Sequence, residues 1–263
     1  MNPTRIAGPT GTLSLNDGGR GGGVPVVLAH SLAGTSGHWS HQLQHMRSSR
    51  RAVAFDFRAH GASEPARNRD YSIAGLAGDL GAVVDGLGLR RFVLVGHSLG
   101  GGVALTYAGA HADRVAGLLL LDPIGDGTQI PAQQADSFLQ ALEADYDSVI
   151  QGYWSQIAGP NAAVKDRLLA DLRATPREVV ERLFREVMRF DPRPLLAGYR
   201  GSILSVVTPH NDEPFSLHRV GNGFPHRVVT DTGHWIQLDK PEAVNQILDG
   251  FLKNVSGEQQ RKQ

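Results

Sequence analysis

A serine, an aspartate and a histidine in chain order can carry nucleophilic catalysis, and this chain places candidates for all three beside strand-like runs. Ser98 lies in Gly96-His97-Ser98-Leu99-Gly100, directly after the apolar run Phe92-Val93-Leu94-Val95. That G-x-S-x-G pattern predicts a sharp strand-to-helix turn that holds the serine in a strained backbone with its hydroxyl exposed. Glycines are needed on both sides because a Cβ there would collide with the neighbouring strand and helix. Serine is a poor nucleophile at neutral pH and needs a base, which in turn needs an orienting carboxylate. His234, in Gly233-His234-Trp235 after the last strand pattern, is the expected base. Asp212, just past the run Ser202–Val207, is the expected acid, and Asp122, just past Val115–Leu121, is the alternative. Both keep the order Ser, Asp, His. Acyl transfer also needs amides for an oxyanion. The Leu99 N–H at a helix start and the Leu32 N–H in the turn His30-Ser31-Leu32-Ala33-Gly34 are the expected pair. Ser31, His97, Tyr153, Trp154 and Trp235 are expected around the substrate.

These residues need a scaffold, and the hydrophobic pattern supplies one. Strands are expected over Gly11–Leu15, Val24–Ala29, Arg51–Phe55, Phe92–Val95, Val115–Leu121, Ser202–Val207 and His226–Val229. Several are apolar on both faces and alternate with amphipathic helices, which implies a parallel sheet covered on both sides. Ser72 is a suitable N-cap for a helix with Ile73, Leu76, Leu80, Val83, Val84 and Leu87 on one face. Pro241-Glu242 opens a last helix, and the polar stretch from Ser256 to Gln263 is expected to fray. Residues 125–200 carry only helical signals, including Thr175-Pro176-Arg177-Glu178, which has the form of a capping box. This stretch is expected to be a helical cap inserted in a core made of residues 1–124 and 201–263. Its arginines, Arg173, Arg177, Arg182, Arg185 and Arg189, are expected to face solvent. Its aromatics are divided between the cap's own core and the substrate cavity.

Composition narrows the function classes. The chain has 263 residues, 41% hydrophobic and 20% charged, as in an ordinary globular protein. Its 26 basic and 26 acidic residues balance, so no electrostatic case exists for nucleic acid or an anionic membrane. With no cysteine, disulfides, thiolate metal sites and a cysteine nucleophile are excluded. No signal-like apolar segment opens the chain and no run reaches membrane-spanning length, so a cytoplasmic location is expected. Five glycines between Gly18 and Gly23 lack the Lys-Ser/Thr ending of a phosphate loop and are taken as a turn. His38, His41 and His45 share one helical face without a matching carboxylate, so a solvated face is expected there and no metal.

Four stretches together resemble the α/β-hydrolase superfamily over nearly the whole chain. They are Ala29–Gly34, Asp56-Phe57-Arg58-Ala59-His60-Gly61-Ala62-Ser63, Gly96–Gly101 and Gly233–Trp235. The resemblance implies an α/β-hydrolase fold, with a mostly parallel eight-stranded sheet, helices on both faces and an inserted helical cap. It implies a Ser-His-Asp triad without a cofactor, and makes Asp212 the usual acid position, after the seventh strand. Two departures stand out: His30-Ser31 replaces the family's common His-Gly, and Arg58-Ala59-His60-Gly61 replaces Arg-Gly-His-Gly. Asp56, Arg58 and His60 are expected to form a buried structural tie. The implied activity is hydrolysis of small esters with apolar acyl or aryl groups. The same residues suit C–C bond hydrolysis, lactone opening or perhydrolysis, and some members of the superfamily act as receptors with slow hydrolysis. Serine at the nucleophile position counts against dehalogenase and epoxide-hydrolase chemistry, whose members carry aspartate there.

Overall fold

Seven residues without a polar side chain, Val115–Leu121, form strand β6, buried along its whole length. Around it the computed structural model, which describes residues 4–220 and 223–260, builds one sheet of eight strands. The others are β1 (Thr4–Ala7), β2 (Thr12–Gly18), β3 (Val26–Ala29), β4 (Ala52–Phe55), β5 (Phe92–His97), β7 (Ser202–Val207) and β8 (His226–Val228). Their order is β1-β2-β4-β3-β5-β6-β7-β8. The pairs β1–β2 and β2–β4 are antiparallel, and all later pairs are parallel. Strand β1 was not anticipated, because a short exposed edge with Ile6 as its one large apolar residue has no periodic signal.

Side-chain alternation along the central strands divides the core into two layers. Val27, Leu94 and Leu118 pack towards α2 (Ile73–Gly86) and α3 (Leu99–Ala110). Val26, Val93 and Leu119 pack towards α1 (Ser40–Met46) and α10 (Pro241–Gln260), which follows the short α9 (Ile236–Asp239). Ser72 caps α2 as expected, its hydroxyl accepting from the Gly75 N–H at 3.0 Å. Helix α10 continues through Gln260, beyond the expected fraying point at Ser256; the last part of that expectation, 261–263, lies outside the described residues. No helix among the described residues is long and apolar enough to cross a membrane.

Between β6 and β7 the chain is helical: α4 (Ala132–Ala144), α5 (Tyr146–Ile157), α6 (Ala162–Ala174), α7 (Arg177–Val187) and α8 (Arg193–Gly198). The five arginines expected to be solvated are exposed. The capping box does not form. The Thr175 hydroxyl instead donates back to the Asp171 carbonyl at 3.0 Å, and Glu178 pairs with Arg69 of the sheet-side loop. Helix α8 lies against α3, with Gly109 and Leu195 in close approach, so it covers the sheet rather than joining the helices above it. Helices α6 and α7 are fastened below by His38 Nε2 on Asp171 at 2.8 Å and by the Ile73 N–H donating to Glu186 at 3.2 Å.

Candidate functional site

The end of β5 and the start of α3 meet in one residue, Ser98, whose backbone has φ 54° and ψ −118°. A non-glycine residue there costs about 1–3 kcal/mol and persists only when its surroundings hold it. The Ser98 N–H donates to the Leu121 carbonyl at 3.0 Å, and its carbonyl accepts from the Gly101 N–H at 2.9 Å. The flanking glycines are sterically required. A Cβ at Gly96 would stand 2.4 Å from the Gly100 carbonyl oxygen, and one at Gly100 would stand 2.4 Å from the carbonyl oxygens of Ala29 and His30.

His234 faces the same cavity as Ser98. Its Nδ1 donates to Asp122 Oδ2 at 2.6 Å, which assigns the proton to Nδ1 and leaves Nε2 with a lone pair. The Asp122 side chain is 2% exposed and that of His234 is 20% exposed, so solvent reaches the imidazole and scarcely the carboxylate. Asp122 itself sits at φ 41°. It is held by the Thr208 N–H at 2.8 Å and by the Thr208 hydroxyl at 3.2 Å. Asp212, the expected acid, is engaged elsewhere. Its Oδ1 accepts from His218 Nε2 at 2.9 Å and from Arg219 Nε at 2.7 Å. The short helical turn Pro209–Asn211 carries it away from the end of β7, while Asp122 follows β6 without an intervening turn.

His97 does not line the cavity; it lies fully buried beneath the histidine loop. Its Nε2 donates to the His234 carbonyl at 2.9 Å, and its Nδ1 accepts from Gln237 at 3.1 Å. Burial, and secondarily the adjacent His234 ring, hold its pKa well below the ordinary histidine value, so it stays neutral. Above, the histidine loop meets the end of α5. The His234 N–H donates to the Ile157 carbonyl at 2.8 Å, and a Cβ at Gly233 would stand 2.4 Å from the Gly159 nitrogen. Two glycines in backbone contact are what allow the helical region to touch this loop.

Leu32 and Leu99 line the cavity beside Ser98. The Leu99 N–H opens α3, where an amide has no partner within the helix. The Leu32 N–H follows β3 in a turn closed by Gly34 N–H on the Ser31 carbonyl, with Ala33 at φ 52°. Ser31 Oγ accepts from Trp235 Nε1 at 3.2 Å, which fixes the oxygen and leaves its own O–H available as a donor.

The stretch after β4 is a structural tie, as its residue types suggested. Asp56 accepts from the N–H groups of Ser36 and Ala62, and Arg58 forms a buried ion pair with Asp79 at 2.6 Å. His30 accepts the Phe57 N–H at 3.0 Å. Among the described residues, ligand atoms of Asp212, His218 and His226 lie within 4.8 Å of one another. The guanidinium of Arg219 already pairs with that carboxylate, His218 Nε2 donates to it, and the His226 ring stacks on His218 at 4.2 Å. His38 and His45 are paired with Asp171 and Asp249 respectively and do not converge on one another.

The cavity above Ser98 measures about 530 Å³. Ser31, Tyr153, Trp154 and Trp235 line it together with Phe184, whereas Tyr146, Phe190 and Tyr199 pack elsewhere. Thr208, Gly159 and Gln237 escaped the sequence reading. Thr208 ends a strand beside a candidate acid, which was the one available signal.

The model of the alpha/beta hydrolase fold family matches residues 24–205. The chain is 38% identical over 260 residues to epoxide hydrolase 3 of Xenopus tropicalis, covering 87% of this chain and 71% of that protein. It is 30% identical over 244 residues to the dihydrolipoyllysine-residue acetyltransferase component of the acetoin cleaving system of Pseudomonas putida. That match covers 88% of this chain, which spans 64% of the relative's length. Among solved structures, an esterase from Thermogutta terrifontis superposes with TM-score 0.80 at 22% identity, covering 97% of this chain and 99% of that one. An esterase from Exiguobacterium antarcticum gives TM-score 0.82 at 20% identity, with 96% and 100% covered. At these identities the superpositions show the fold.

Proposed function

Given that the chain belongs to the α/β-hydrolase family, we propose that it is a serine hydrolase that cleaves small carboxylic esters through an acyl-enzyme, with Ser98, His234 and Asp122 as its triad. One observation carries this reading: Ser98, strained at the head of α3, shares a cavity with a histidine whose Nδ1 is held by a buried carboxylate.

The steps follow from the geometry. Ser98 Oγ attacks the ester carbonyl as His234 Nε2 takes its proton. Asp122 stabilises the imidazolium and keeps the ring in the productive tautomer. The Leu32 and Leu99 amides receive the oxyanion. The imidazolium then protonates the departing alkoxide, and water, activated by the same nitrogen, releases the acid. No cofactor enters. Helices α4–α7 act as a cap that walls the site and shapes its choice of acyl or aryl group, while α8 belongs with the core.

The relatives named for epoxides do not transfer their chemistry here. Opening an epoxide on Ser98 would leave an alkyl ether, which water cannot release as it releases an ester. Nucleophilic epoxide opening with turnover needs a carboxylate at that position.

Hydrolysis of 4-nitrophenyl acetate, butyrate and octanoate by the wild type and by Ser98→Ala tests the reading. Turnover should vanish in a folded Ser98→Ala protein. Retention of near-wild-type rates in that variant would overturn it.

A further inference from the structure

The charged groups of the cavity wall are all of one sign. Among the residues that line it, the formal charges are those of Asp122 and Asp126, and no lysine or arginine takes part. Asp126 is fully buried and accepts from the Thr128 N–H and hydroxyl and from Gln129 Nε2 at 3.0 Å. The nearest cation, Arg193, stands 3.8 Å from it on the outer side, is 57% exposed, and is held more closely by Asp191 at 2.7 Å.

Several neutral polar groups of the wall are turned inwards to the protein. The Thr208 hydroxyl is spent on Asp122, and Asn211 Nδ2 on the Pro123 carbonyl at 3.0 Å. The Thr232 hydroxyl is spent on Asp239 and the Gly233 carbonyl, and Ser31 Oγ receives Trp235. Of the remaining polar lining side chains, Gln156 and His210 belong to exposed residues, the Tyr153 phenol packs against Trp154 and Phe184, and the Trp154 Nε1–H is buried without a partner. The interior around them is Ile124, Ile130, Trp154, Phe184 and Val187. An anion drawn into this space loses water, faces the carboxylates of Asp122 and Asp126 and meets no lysine or arginine; it would have only neutral donors such as Trp154 Nε1 and the two amides set for the oxyanion.

We infer that the site selects uncharged substrates and rejects esters that carry a second, free carboxylate. The inference rests on the ester-hydrolase reading for its site and deepens it.

The test compares phenyl hexanoate with monophenyl adipate, whose chain lengths match and whose far ends are methyl and carboxylate. At pH 8 the acid should show kcat/KM roughly a hundredfold lower, the scale expected for one unpaired charge in a partly desolvated site. Val187→Lys, which adds a cation to the wall, should narrow that ratio by about tenfold or more. Calorimetric binding of both compounds to Ser98→Ala separates this inference from the reading beneath it. Binding of the hexanoate without the adipate supports selection by charge even if the wild type hydrolyses neither, in which case the ester-hydrolase reading alone fails. Equal binding of the two, binding of neither, or a kcat/KM ratio within about threefold would overturn the inference.

Discussion

Thr208 holds Asp122 by two donors, its backbone N–H at 2.8 Å from Oδ1 and its hydroxyl at 3.2 Å from both carboxylate oxygens. The two residues follow neighbouring strands, β7 and β6, and the Asp122 N–H returns a bond to the Val206 carbonyl at 2.7 Å. The carboxylate that orients His234 is thus fixed by the sheet itself, and the residue following β7 serves as its clamp.

Two substitutions separate the candidate acids. Asp122→Asn should lower kcat roughly a thousandfold or more with a modest change in KM, because the asparagine amide favours the wrong imidazole tautomer. Asp212→Asn should leave kcat within about threefold, since it breaks an ion pair remote from the chemistry. Steady-state kinetics on a 4-nitrophenyl ester decide between them, and the opposite ranking would restore Asp212 as the acid.

The clamp has its own signature. Thr208→Val removes the hydroxyl but keeps the shape and the backbone donor. A hydrogen bond to a charged group is worth about 1.5–3 kcal/mol, so kcat should fall about tenfold. Thr208→Ser should recover most of that loss. Equal rates for the valine and serine variants would show that the hydroxyl does nothing for catalysis.

His97 supports the histidine loop from below. His97→Leu strands the His234 carbonyl and Gln237 without their shared partner, so kcat should drop about tenfold and thermal stability should fall. His97→Asn retains a donor and should keep more of both. A leucine variant with unchanged kcat and melting temperature would contradict this role.

Acid should weaken the fold through its buried histidines. His30, His60 and His97 are fully buried, and burial is the leading cause that lowers each from the ordinary value of 6.5. Neighbouring histidines add to the shift at His30 and His97, while carbonyl contacts oppose it. Below pH 6.5 the unfolded chain takes up protons at these positions and the native protein does not. Their contribution is therefore fully present above that pH and declines as the pH falls towards the lowered native values. The slope is about 1.4 kcal/mol per pH unit for each histidine kept neutral. Urea unfolding at pH 7.5, 6.5, 5.5 and 5.0 should show the decline, and a flat profile would rule it out.

Much of this protein was legible residue by residue. Strands β6 and β7 match their expected bounds, because an unbroken apolar run bounded by turn residues has one stable use in a covered sheet. The position of Ser98 was equally legible, since the demand for small residues around it is local: Gly96 and Gly100 have no room for a Cβ. Tyr153, Trp154 and Trp235, expected around the substrate, line the cavity, although helical spacing by itself pointed the cap aromatics to the cap's own core.

Tertiary structure decided what depends on distance between remote segments. Asp122 and Asp212 are alike in sequence, each a short step past a strand. Only the path of the chain after β7, which turns Asp212 towards Arg219, leaves His234 to Asp122. The capping box failed for the same kind of reason, because Glu178 found Arg69 from a distant loop. Local sterics and periodicity are written within a few residues and so can be read from the chain. Which carboxylate reaches which imidazole, and which hydroxyl then clamps it, is set by the meeting of strand ends that the sequence keeps far apart.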